Sequence, residues 1–78
     1  MPRFYFDLQD GEACVIDEEG VELTNIVSAQ LEAAQSLVDM VKGLHPTDRD
    51  AAGMWIECRD TEGPLFSVRF SFLDRRKH

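Results

Sequence analysis

The sequence predicts an α+β fold: two antiparallel hairpins forming a four-stranded sheet, with one helix packed on one face. Three patterns carry this reading. Arg3–Leu8 and Phe66–Phe72 alternate with the period of two of a half-buried strand. Residues 25–43 repeat apolar side chains at three- and four-residue steps. Asp10-Gly11 and Asp60–Gly63 are turn sequences set between strand-like runs. The order is ββαββ.

In the first strand Phe4, Phe6 and Leu8 share one face and Arg3, Tyr5 and Asp7 the other. Asp10-Gly11 supplies the positive φ of a tight turn, and Cys14-Val15-Ile16 is the returning strand. Asp17-Glu18-Glu19-Gly20 ends that hairpin, and Val21-Glu22-Leu23 leads extended to Thr24-Asn25, either of which can cap a helix. The helix spans 25–43, with Ile26, Ala29, Ala33, Leu37, Met40, Val41 and Leu44 apolar and Ser28, Glu32, Gln35, Asp39 and Lys42 on the wet side. Gly43, as a left-handed C-cap, and His45-Pro46 provide its stop. Thr47–Gly53 reads as a loop. Met54, Ile56 and Cys58 then alternate with Trp55, Glu57 and Arg59, and Phe66, Val68, Phe70 and Phe72 alternate with Ser67, Arg69 and Ser71.

The 78 residues form a single domain, 1–78, with a basic tail over about 74–78. A chain this short has a thin core, which favours a partner subunit. Fifteen acidic against eight basic residues give a net charge of −7, which opposes nonspecific attraction to nucleic acid and to anionic membranes. The balance is uneven: residues 1–62 carry about −10 and residues 63–78 about +3. No apolar run approaches the ~18 residues that would span a bilayer, and the opening Met-Pro-Arg-Phe lacks a basic region followed by an apolar one. A cytoplasmic setting follows, with Cys14 and Cys58 as reduced thiols.

The opening Met-Pro-Arg-Phe-Tyr-Phe, the Asp10-Gly11 turn and the Asp17-Glu18-Glu19-Gly20-Val21-Glu22-Leu23 segment resemble those of a family of short bacterial proteins catalogued only as a domain of unknown function. The likeness extends over nearly the whole chain: an MPRYYF-like start, a D-E-x-G-x-x-L segment before an alanine-rich helix, and a terminal hairpin turning at Asp60 to Gly63. Phe4 stands where tyrosine is common. The resemblance implies a bacterial, cytoplasmic protein and supplies no activity, substrate or cofactor.

Few residues point to chemistry. Asp17, Glu18 and Glu19, near Asp7, Asp10 and Glu12, are the densest set of oxygen ligands and the weak candidates for a divalent cation. Three successive carboxylates in an extended segment point apart, however, so a solvated turn before the helix is the simpler reading. A catalytic set could draw only on Cys14 or Cys58 with His45 and an aspartate, and no motif places them together; Cys58 lies in the inward register of its strand. The glycines are scattered at turns and form no phosphate cradle. Neither an enzyme nor a cofactor is therefore expected. Tyr5, Trp55, Arg59 and Arg69 share the outer sheet face, and tryptophan and arginine are common interface anchors. The sequence thus predicts a noncatalytic protein-interaction module, a homodimer or a binder of another protein, joined through the open sheet face or an edge strand. The alternative is a small-ligand or divalent-cation binder using the acidic hairpin end.

Overall fold

The computed structural model describes residues 1–11, 13–43 and 53–70. Strand β1 (Arg3–Asp10) turns into β2 (Ala13–Val15); β3 (Val21–Glu22) precedes helix α1 (Ile26–Lys42), and β4 (Met54–Asp60) turns into β5 (Gly63–Arg69). The architecture is α+β, as the hydropathy patterns predict. The sheet is antiparallel, ordered β2-β1-β4-β5, and the extended segment before the helix adds a fifth strand, β3, where four were expected. Strands β2 and β3 share one edge of β1. The first pairs with Leu8–Asp10 and the second with Arg3 and Phe4.

The turns form where glycine permits them. Gly11 has φ 60°, which allows the tight turn from β1 to β2, and its N–H donates to Gly53 O at 2.8 Å, tying the turn to the start of β4. In α1, the Asn25 side chain accepts a hydrogen bond from Ser28 N at 2.9 Å and so caps one orphan donor of the first turn. Gly43 closes the helix in the right-handed region, at φ −81°, rather than in the left-handed conformation the sequence suggests; its N–H satisfies the carbonyls of Met40 and Val41. Leu44, the expected stop at His45-Pro46, the loop through residue 52, the end of the last alternating run at Ser71 and Phe72, and the basic tail at 74–78 lie outside the described residues.

Helix and sheet meet in two continuous clusters. Phe4, Ala29 and Cys58 pack with Leu23 and Phe66, while Ala33, Leu37, Met54 and Ile56 pack with Phe6, Leu8, Met40, Val68 and Phe70. Two alanines on the buried stripe let the helix approach the sheet closely. The helix lies over β4 and β5 rather than across the middle of the sheet. Phe6 and Leu8 on β1 are half-buried, as are Phe66 and Val68 on β5, whereas Cys58 and Ile56 in register between them are buried.

Cys58 is fully buried, as its inward register predicts, and Cys14 is exposed; both thiols are free. Burial, with added repulsion from Asp60 and Asp7, pushes the Cys58 thiol up to about 11. At pH 8 a thiol reagent should therefore modify Cys14 within minutes and Cys58 only at the rate of unfolding. Absorbance of the released chromophore, with and without denaturant, checks this.

Candidate functional site

The outer face of the sheet carries the four residues expected to form an interaction face, and the structure places them in two stacked pairs. Tyr5 and Arg59 are cross-strand neighbours on β1 and β4, with the guanidinium carbon 4.5 Å from the ring centroid. Trp55 and Arg69 are neighbours on β4 and β5, with a separation of 4.8 Å. In each stack the guanidinium lies on the electron-rich face of the ring, where cation and quadrupole attract. Trp55 Nε1 also donates to Glu57 Oε1 at 2.8 Å. The aromatic rings are therefore half-buried by partners within the chain.

Between these pairs lies Asp7, which an alternating strand would expose but which is only 7% exposed. Arg59 Nε donates to Asp7 Oδ2 at 2.9 Å, and Arg59 Nη2 donates to the Asp17 carbonyl at 2.9 Å. Asp17 N in turn donates to Asp7 Oδ1 at 2.9 Å. A buried carboxylate is tolerable only with such partners.

Asp17 occupies the gap between β2 and β3 on the edge of β1. Its Oδ2 accepts from Phe6 N at 3.1 Å, so a side chain satisfies a ladder donor that no strand reaches. Its Oδ1 accepts from Glu19 N at 3.2 Å and Gly20 N at 3.0 Å, which closes a local turn. Burial pushes this carboxyl up, but the donors from Gly20, Phe6 and Glu19, together with the Arg59 charge, outweigh it and hold the pKa below its ordinary 3.8. Gly20 completes the closure. It has φ +70°, and a Cβ there would lie 2.8 Å from Tyr5 Cε1, 2.9 Å from Arg3 Cγ and 3.0 Å from Phe4 O. Arg3 Nη1 fastens the segment by donating to Glu19 O at 2.7 Å.

The three candidate cation ligands are thus separated in role. Asp17 directs its carboxylate at backbone N–H groups, whereas Glu18 and Glu19 are exposed. Among the described residues, no three His, Cys, Asp or Glu side chains converge as a metal site would require. Among the described residues Cys14 meets no base either: its sulfur accepts from Gln9 Nε2 at 3.0 Å, and an amide cannot deprotonate a thiol. His45 lies outside the described residues. One groove of about 460 Å³ opens beside this segment, with Phe6, Leu8, Val15 and Ile16 as apolar wall and Asp17, Glu18 and Glu19 as acidic rim. Among the described residues no helix is long and apolar enough to cross a membrane.

Sequence reading places Asp17 in an acidic cluster and overlooks Asp7 and Gly20 as parts of one closure. The available signal is the spacing Asp17 to Gly20, since an aspartate that accepts from the N–H groups two and three residues on is a recognised turn.

Two outcomes follow. Gly20→Ala should lower unfolding free energy by about 2 kcal/mol or more, from left-handed strain plus the backbone contact at Phe4 O, as read by urea denaturation. Because the Asp17 pKa is lowered in the folded state, its contribution is fully present above its ordinary 3.8 and is lost as pH falls below that value. Melting temperature should accordingly fall more steeply between about pH 4 and pH 2 in the parent than in Asp17→Asn, which already lacks the charge.

Comparison with curated proteins and with solved structures returns no match. The Domain of unknown function (DUF6894) matches residues 3–71, a span that includes β1, the Asp17 closure, the helix and the final hairpin. With that span covering most of its length, the chain belongs to the DUF6894 family.

Proposed function

We propose that the chain is a small noncatalytic module that works by self-association in the cytoplasm. The supporting observation is the balance of its apolar residues. Among the described residues seven are buried, none larger than Phe4 or Met54, while Val15, Ile16, Val21, Ile26, Val27, Leu31 and Leu65 stay 38–68% exposed. A 78-residue chain with so small a core gains stability by covering such residues with another subunit. The outer face contributes less than its composition suggests, because Arg59 and Arg69 already stack on Tyr5 and Trp55. Covering that face would require desolvating two guanidinium groups and Glu57.

A second reading draws on the groove of about 460 Å³, whose apolar wall and acidic rim suit a small ligand with an apolar body and a cationic head. A divalent cation suits it poorly, because the Asp17 carboxylate is held by three N–H donors. On this basis millimolar calcium or magnesium leaves the melting temperature unchanged, whereas a short-chain alkylammonium that binds there raises it.

Light scattering over a concentration series tests the leading reading, which expects a mass near twice 8.9 kDa at micromolar concentration. Two copies each carrying −7 repel, so association through apolar surface strengthens with added salt; a contact between an acidic body and a basic tail weakens. A mass of one chain at every concentration and ionic strength overturns the reading.

A further inference from the structure

The two edges of the sheet are finished differently. The edge of β1 is closed by two short strands and by the Asp17 carboxylate on Phe6 N. Strand β5 ends the sheet on the other side, and nothing among the described residues pairs beyond it. Phe6 directs its N–H away from β4, so its partner Cys58 directs its own polar groups toward β5, where they meet Phe66. The alternate residues Ser67 and Arg69 therefore turn N–H and C=O toward the open edge, an unsatisfied template for another strand.

Beside that edge lies a second apolar stripe on α1. Val27, Leu31, Ala34, Val38 and Val41 recur at alternating four- and three-residue steps, the spacing of a helix–helix seam, and are distinct from the buried stripe of Ala29, Ala33 and Leu37. Val27 is 57% and Leu31 68% exposed. The helix runs antiparallel to β4, since Ala29 packs near Cys58 and Leu37 near Met54 and Ile56. A right-handed helix in that direction turns the Leu31 flank toward β5 and the Ser28, Glu32 and Ser36 flank toward β1.

We infer that the partner is a second copy of this chain, joined by antiparallel pairing of β5 with its twofold mate about Ser67, with α1 packing on α1 above the seam. This rests on the self-association reading and gives it a location. The occupant follows from spacing. Paired strands lie about 4.8 Å apart, so the twofold axis stands about 2.4 Å outside β5. Helix α1 rests on β4 and β5 and so lies toward this edge. Two copies so paired bring their helices side by side above the seam, with the Val27–Val41 flank of each turned toward the other. A lone peptide added to β5 would satisfy the edge and leave Val27 and Leu31 wet, whereas a second copy covers both. The four-strand path β2-β1-β4-β5 then continues unbroken through the axis into its copy.

The test uses the full chain with Cys14→Ser, which removes the exposed thiol. Leu31→Glu, at an exposed helical position, should raise the dimer dissociation constant about 100-fold or more without lowering helix content by circular dichroism. Ser67→Cys should form a covalent dimer on mild oxidation, because the twofold sets the two copies of residue 67 opposite each other within disulfide reach. Trp55→Ala, on the outer face, should leave the mass at that of the dimer. A parent dimer that survives Leu31→Glu and fails to cross-link through Ser67→Cys overturns this location and leaves self-association standing. A parent that is monomeric overturns both.

Discussion

Asp17 closes the one stretch of β1 that no strand covers, and the rest of the outer face is arranged around that closure. Its carboxylate satisfies Phe6 N on the edge, its own N–H and C=O anchor to Asp7 and Arg59, and Arg59 then lies over Tyr5. Each contact depends on the others. Asp7 tolerates burial because Arg59 reaches it, and Arg59 is positioned because the Asp17 carbonyl and the Tyr5 ring flank it. Gly20 is part of the same constraint, since the segment approaches the sheet too closely for any side chain at that position. The residues that look most suited to chemistry in the sequence are thus engaged in finishing an edge.

The inner face follows a different logic, that of too little material. Ala29 and Ala33 bring the helix near the sheet but bury small side chains, so Leu37 and Cys58 are the largest fully buried ones among the described residues. One helix cannot span four strands, and this one sits to the β5 side. The offset leaves a half-covered wall at Phe6 and Leu8 on one flank and an apolar helix flank on the other. Both surfaces follow from where the single helix lies.

Much of this was legible in the residues because it is local. The alternation in β4 and β5, the Asn25 cap, the Gly11 turn and the inward register of Cys58 each depend on neighbours within a few positions, and each is found as read, whereas in β1 the pattern breaks at the buried Asp7. Strand β3 is two residues long and has no period to display. The Asp7–Asp17–Arg59 closure was not legible for another reason. Its members meet only because β1 and β4 pair across the chain, with Asp7 and Arg59 separated by 52 positions. The second helical stripe was hidden by its alanine-rich setting, where one amphipathic face accounts for most apolar positions and Leu31 passes as incidental.

The central pairing of β1 with β4 has a kinetic side as well. Helix α1 and the two hairpins close over short stretches, but the middle of the sheet joins residues about fifty positions apart, and loop closure of that kind is slow. The edge of β1 can be shut by Asp17 alone, yet the shutter is steadied only when Arg59 arrives with β4. During synthesis the first half of the chain therefore carries the other edge of β1 uncovered until β4 is made, and that interval is when the protein is most exposed to wrong strand partners.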